Sequence, residues 1–338
     1  MKRTLLLVFI VLTGYFAFSQ SDSLILVNGD VIIGELKTMD RAVAIFETDY
    51  SDSDFKIEWD GIAKIYTTTS YLISTSNGDR FNGRIETSGE NKVKILLDDG
   101  GSKEVVFMDI VYLKSVDKGF FEKINAFVDI GFDLTKANNV MTLSTRSGID
   151  YMARTWSLGL SFNTNITTQK EGPNTNRTDG ALTGRYFLPG SFYIPVSVNF
   201  LKSSELNLNS RWTTMAGAGY YFVRTNRLYW GADLGGAFNA ENYTPDSIPD
   251  NNSFEGYFGT DLNLFDIGDF SLSTAAKAFP SFTEKGRWRF DFNIDTKYDL
   301  PLEFYIKLGC SLNYDNKPVS GGSDMDYVIY TGFGWEWP

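Results

Sequence analysis

The sequence predicts an all-β protein: a C-terminal antiparallel transmembrane β-barrel of about twelve strands, preceded by an N-terminal periplasmic pair of small β-barrels. Three observations carry this. The stretch Asp326 to Trp337 places Tyr327, Ile329, Thr331, Phe333, Trp335 and Trp337 on one face, and Val328, Tyr330, Gly332, Gly334 and Glu336 on the other. That period of two marks a strand. Along residues 120–338 the connections between such stretches alternate long and short. Finally, no apolar run of the roughly eighteen residues a spanning helix needs follows the N-terminal segment. Any membrane crossing therefore falls to strands that pair with one another.

The chain opens with Lys2 and Arg3, an apolar run from Leu5 to Phe18, and Ala17-Phe18-Ser19. This is the layout of a secretory signal peptide over residues 1–19, with cleavage expected after Ser19. No cysteine follows the run, which excludes a lipoprotein anchor. Cys310 is the single cysteine, so no internal disulfide is possible. A net charge of −11 argues against nucleic acid as a partner.

Residues 20–70 and 71–118 echo one another. Asn28-Gly29-Asp30 leads into Val31 to Leu36 with a glycine at Gly34, and Asn77-Gly78-Asp79 leads into Arg80 to Ile85 with Gly83. Alternating strands follow at 43–46 and 93–97. Each unit ends in a strand pair, 55–59 with 62–65 and 104–107 with 110–113. Asn-Gly between apolar alternations predicts a hairpin with positive φ at both central residues, and the second glycine predicts a bend. Asp30 and Asp79 read as turn residues that cap backbone N–H groups, and Glu35, Glu58 and Asp60 as surface acids rather than a metal or acid–base set. The pattern resembles the small Sm-like and SH3-like barrels. The repeats are acidic and lack a basic–aromatic stripe, so RNA is not the expected ligand. A structural role, or a periplasmic protein or cell-wall partner, is.

Beyond Gly119 the strands lengthen. They are predicted at 123–134, 140–151, 155–164, 178–187, 191–201, 210–224, 227–239, 253–264, 270–279, 287–299, 302–313 and 326–337. The long connections, 169–178, 202–209, 240–252, 280–286 and 314–325, read as external loops. The short ones at 153–154, 188–190, 225–226, 266–268 and 300–301 read as periplasmic turns. The loop at 136–139 is short for an external one. Trp156, Trp230, Trp335 and Trp337 fall near inner strand ends and Trp212 and Trp288 near outer ends, the two aromatic girdles of a membrane barrel.

Gly131-Phe132-Asp133-Leu134 with Ala137-Asn138, Tyr151-Met152-Ala153-Arg154-Thr155, and Arg211 with Gly217-Ala218-Gly219-Tyr220 resemble motifs of the salt-induced outer-membrane protein family. Ala137 stands where that family usually has glycine. The resemblance implies an integral barrel in the outer membrane of a Gram-negative bacterium, linked to osmotic or envelope stress. It brings no catalytic residue to transfer.

The chain has no histidine, which removes Ser-His hydrolytic machinery and imidazole metal sites. No enzyme activity, cofactor or metal is expected. By alternation the lumen carries a charge network of Asp129, Asp133, Arg146, Arg185, Arg211, Asp233, Asp261, Lys277, Arg289, Asp291, Asp295 and Lys307. Asp150, Glu255, Arg287, Lys297 and Glu303 are further candidates. Such a set either fills the barrel with ion pairs or lines a narrow aqueous path. Two readings follow: an envelope scaffold anchoring periplasmic β modules, or a channel for ions or small solutes. The partners expected are outer-membrane lipid and, through the C-terminal strand, the barrel-assembly machinery. That strand should pair with Lys123 to Leu134 to close the barrel. Pro338 cannot donate to a ladder, which makes Trp337 its expected functional end.

Overall fold

The computed structural model describes residues 21–116, 124–135, 140–170, 172–244, 247–267, 269–301 and 304–335. The expected signal peptide, the loop at 136–139, Trp337 and Pro338 lie outside them.

The N-terminal domain holds ten strands: β1 (Asp22–Leu26), β2 (Val31–Asp40), β3 (Val43–Glu47), β4 (Phe55–Glu58), β5 (Ile62–Tyr66), β6 (Tyr71–Thr75), β7 (Arg80–Gly89), β8 (Lys92–Leu97), β9 (Ser102–Val106) and β10 (Ile110–Ser115). A 3-10 turn precedes β5 (Trp59–Gly61) and another precedes β10 (Phe107–Asp109). Within residues 22–66, β1 pairs with β2 and β5, β2 with β3, and β3 with β4. Residues 71–115 repeat that order with β6 to β10.

Two separate small barrels do not form. The last strand of each half stays paired at home and also bridges to the other: β5 lies between β1 and β7, and β10 between β6 and β2. The six strands β1, β5, β7, β6, β10 and β2 close one shared ring, with β3–β4 and β8–β9 as flaps. The physical reason is size, since a half of about 45 residues buries too little apolar surface to stand alone. One core serves both halves, with Leu24, Leu36, Phe46 and Ile65 from the first against Ile73, Ile85, Ile95 and Leu113 from the second. At its centre Trp59 and Phe107, the first residues of the two 3-10 turns, stack with ring centroids 4.3 Å apart. The buried Asp22 carboxylate also links the halves, accepting from Tyr71 Oη at 2.6 Å and from the Leu36 and Thr68 backbone N–H groups at 3.0 and 2.7 Å.

The hairpin turns differ from expectation in one dihedral. Gly29 and Gly78 alone take positive φ, at 93° and 92°. Asn28 and Asn77 do not take positive φ, and each Oδ1 accepts from the N–H of Asp30 or Asp79 at 3.0 or 3.1 Å. The aspartate carboxylates are held by the asparagine side-chain amides instead of capping backbone. Gly34 and Gly83 sit where a Cβ would collide with the Glu47 and Leu96 carbonyls, so the expected bend is a close backbone crossing.

Twelve strands form the second sheet: β11 (Ile124–Thr135), β12 (Val140–Met152), β13 (Trp156–Thr168), β14 (Thr175–Phe187), β15 (Phe192–Ser203), β16 (Leu208–Arg224), β17 (Leu228–Tyr243), β18 (Asn251–Ile267), β19 (Phe270–Pro280), β20 (Trp288–Asp299), β21 (Phe304–Asp315) and β22 (Met325–Trp335). Each pairs antiparallel with its sequence neighbour, in unbroken order from β11 to β22. Among the described residues no ladder joins β22 to β11, so the sheet is a nearly closed barrel and the expected sealing pair is not formed. Side chains of β12 and β14 instead reach β20 and β22: Arg146 pairs with Asp295, and Arg177 with Asp326. Strands β14, β17, β18 and β21 run further into the outer loops than the sequence predicts, because loop-proximal residues such as Glu241 and Asp315 still alternate into the interior.

Candidate functional site: the lumen and its two ends

Alternation turns the barrel inside out relative to the N-terminal domain. Leu158, Leu160 and Phe162 of β13 are 44–50% exposed on the outer face, while their neighbours Ser157, Ser161 and Asn163 face inward. Trp156, Trp212, Trp230 and Trp288 all point outward, the first and third beside short turns and the other two beside the longer loops. Trp335 ends β22, and Tyr327, Ile329 and Phe333 on that strand are exposed.

The outer end is filled by an ion network. Glu241 accepts from Arg211 Nε at 2.6 Å, Arg287 Nη2 at 2.8 Å and Tyr243 Oη at 2.6 Å. Arg287 also donates to Asp315 at 2.6 Å and to Glu284 at 2.7 Å, and Arg289 makes a two-point contact with Glu255 at 2.7 and 3.2 Å. Arg177 bridges Asp326 and Asn313. Glu241, Glu255, Arg287 and Arg289 are at most 3% exposed. Charges this deep persist only when paired and fully hydrogen-bonded, and here each guanidinium meets a carboxylate. Above the network Leu201, Leu206, Leu208 and Tyr243 pack with Ile248 and Val319 from the loops. Below it Met215, Ala237, Tyr257 and Phe279 form a second buried cluster.

The expected network divides into several sites. Arg211 and Arg289 belong to the outer cluster, and Asp291 accepts from Asn313 Nδ2 at 2.6 Å beside it. Midway, Arg146 lies over the Tyr330 ring and beside Asp295. Lys307 lies 4.8 Å from the Tyr305 ring centroid. Asp233 and Lys277 flank Gly259 in register. Nearer the short turns, Arg185 approaches Asp261 at 3.8 Å and donates to Tyr221 Oη at 3.2 Å. Asp129 and Asp133 lie on β11, with side chains outside the described set. Sequence reasoning missed Glu241, Asp315, Arg177 and Asp326 as site residues, three of them because their stretches read as loop. Extending the strand parity from Asn239 to Glu241 and from Asn313 to Asp315 would have found two. Among the described residues no group of three or more potential metal ligands forms.

The short-turn end is covered by the N-terminal domain. Arg80 Nη1 donates to the Ala153 carbonyl at 3.2 Å, and its guanidinium lies 3.5 Å from the Phe187 ring centroid. Asn226 Nδ2 donates to Met108 O at 3.2 Å, Arg227 pairs with Asp60 at 2.8 Å, and Tyr229 Oη donates to Val111 O at 3.2 Å. Arg41 lies over Phe265. These contacts touch four successive hairpin ends of the barrel. Burial shapes the charges in the seam: it pushes the Asp40 carboxyl and the Tyr112 hydroxyl up. Burial also holds the Arg80 guanidinium down to about 10, with Arg224 opposing it across the seam. A cleft of about 300 Å³ opens beside Arg80, between Asn82 and Lys114 of the domain and Tyr151 to Arg154 of the barrel.

Residues 128–337, more than half of the chain, match the family described as "Protein of unknown function, DUF481". No curated protein matches. Among solved structures, one described as "Structure of porin refined at 1.8 angstroms resolution" is similar at 11% identity over 92% of this chain and 97% of its own. Its TM-score is 0.28, a likeness too loose to carry fold or function.

Proposed function

The chain belongs to the DUF481 family of proteins of unknown function, and on that premise we propose that it is a non-enzymatic outer-membrane barrel, closed at rest, that anchors its N-terminal domain against the periplasmic mouth. One observation carries the reading: protein occupies both ends of the lumen. A fully paired ion network and a loop cluster fill the outer end, and the N-terminal domain covers the other. The apolar outer face with tryptophans at both rims supports the membrane placement. The contacts of the N-terminal domain at the short turns support a periplasmic place for it.

The test is conductance in a planar bilayer. The full chain is expected to give no steady openings, and steady ion-selective openings would overturn the closed state. A channel reading is favoured by one wall of the lumen. Ser144, Ser161, Asn163, Asn165 and Thr183 of β12–β14 are small, polar and not fully buried, unlike the packed wall at β16–β19. If deleting residues 21–118 turns a silent protein into a conducting one, the N-terminal domain is a gate and the channel reading replaces the scaffold.

The shared strand order with a 3-10 turn before the last strand supports Sm-like or SH3-like ancestry for each half. A periplasmic protein or cell-wall partner is then sought by pull-down with and without residues 21–118. The link to salt stress rests on the motifs around Gly131 and Tyr151, and transcript levels after osmotic upshift test it.

A further inference from the structure

The cleft at the inner rim of the barrel has walls from both parts of the molecule. One wall is a row across three paired strands of the N-terminal domain: Asn82 on β7 pairs with Leu72 on β6, which pairs with Lys114 on β10. The other is the barrel turn from Tyr151 to Arg154, and the space between them is about 300 Å³. Arg80 pins the two walls together through its 3.2 Å bond to the Ala153 carbonyl. A volume at the small end of ligand sites suits a headgroup better than a large solute.

Three observations define what the cleft would take. The first is its level. Met141, Leu143 and Ile149 of β12 are exposed on the outer face, and Tyr151 continues that face by alternation. Its ring centroid lies 5.0 Å from that of Trp156. The cleft therefore opens beside the inner aromatic girdle, where lipid headgroups meet a membrane barrel. The second is charge. Lys114 and Arg154 bring two cations to the cleft in a chain of net charge −11, and paired cations are complementary to a phosphate. The third is an acceptor. Asn82 Oδ1 is buried and receives no hydrogen bond, a state rare in folded proteins that calls for a donor. The first half of the domain shows that the fold does not require these side chains. With Gly34 matched to Gly83 and Ile65 to Leu113, the positions equivalent to Asn82 and Lys114 hold Ile33 and Tyr66, both exposed. The polar pair belongs to the cleft, not to the repeat.

We propose that this cleft holds the headgroup of one phospholipid from the periplasmic leaflet. Its phosphate lies toward Lys114 and Arg154, and a hydrogen-bond donor on its polar end meets Asn82 Oδ1. A phosphoethanolamine headgroup answers both demands. Phosphocholine, which has no N–H donor, answers only the first. The lipid would wedge the N-terminal domain against the rim of the barrel. The site rests on the membrane placement proposed above and not on closure of the lumen.

Native mass spectrometry of the delipidated full chain in detergent tests it, with an equimolar mixture of phosphatidylethanolamine and phosphatidylcholine of matched acyl chains. One retained lipid per chain is expected, with phosphatidylethanolamine favoured about fivefold, the worth of one hydrogen bond. Asn82→Leu should bring that ratio to about one. Arg154→Gln and Lys114→Gln should each lower retention of both lipids about fivefold and leave the ratio in place. A ratio near one in the unaltered chain, a ratio unchanged by Asn82→Leu, or retention unchanged in both basic variants overturns the site. If Lys114→Gln fails to fold, Arg154→Gln at its exposed turn decides alone. Displacement of the lipid by millimolar inorganic phosphate reassigns the cleft to the free anion and overturns the lipid reading; retention supports it. Folding into vesicles, read from the heat-modifiable gel band, separates this proposal from the membrane placement. A chain that inserts but retains no lipid loses only the site, and one that never inserts loses both.

Discussion

The N-terminal domain and the barrel are built from the same alternating strands, yet they bury opposite faces. In the first, Trp59, Phe46 and Ile73 are fully buried and lysines and glutamates face out. In the second, Leu160, Phe162 and Ile329 are at least 48% exposed, while arginines and carboxylates are interred. Period two alone does not say which face goes inside. The surroundings decide: water favours burying the apolar face, whereas an apolar face turned outward over a paired polar interior is the arrangement lipid requires, in keeping with the proposed membrane placement. What holds each part together differs accordingly. The domain depends on area and shape, and the barrel interior depends on complete pairing.

The largest effects should come from attacking each part at its own strength. Trp59→Ala removes the central stacked ring and should destabilise the N-terminal domain by about 3–5 kcal/mol. Urea unfolding followed by far-UV circular dichroism of residues 21–116 measures this, or shows a domain that no longer folds. Glu241→Ala leaves Arg211 and Arg287 buried against one fewer carboxylate and should cost the barrel about 3–5 kcal/mol, read from denaturant-dependent loss of the heat-modifiable gel band. A Glu241→Ala loss well below 1 kcal/mol would mean that water reaches the network, and would break the contrast.

Leu160→Arg tests the outer face directly. At mid-strand in lipid it should cost about 2–4 kcal/mol in folding from urea into vesicles. The same change would be nearly neutral if that face met water. The smallest effect is expected at Asp40, whose carboxyl is pushed up by burial. Its ionised form is disfavoured in the folded state, so it costs stability above its folded pKa. That cost fades as pH falls through the folded pKa toward the ordinary value. Asp40→Asn should therefore raise the melting temperature at neutral pH, with the gain shrinking on acidification. A gain that grows on acidification would reverse the assignment.

Much of the barrel is legible because its determinants are local. Leu158, Leu160 and Phe162 declare their face within five residues, and Asn226 and Gly190 mark turns where they stand. The tryptophan girdle is readable for the same reason. The candidate site is less legible. Arg211 and Arg289 are identifiable as inward-facing, but not Arg177, whose partner Asp326 lies 149 residues away. Glu241 and Asp315 were hidden by loop-like composition around them, which tertiary pairing overrides.

The chain's own chemistry determined the number of strands, the face each presents and the short-turn end to which residues 21–116 attach. Side-chain periodicity and turn residues act over a few positions, so one sequence suffices to read them. Only the tertiary structure decided that the last strand of each N-terminal half bridges to the other, that the outer arginines are neutralised, and that Arg80 docks on Ala153 and Phe187. Those outcomes depend on distances between residues far apart in the chain. No local pattern encodes them, because the energy of a charge or an unpaired strand edge is set by whatever the fold brings beside it.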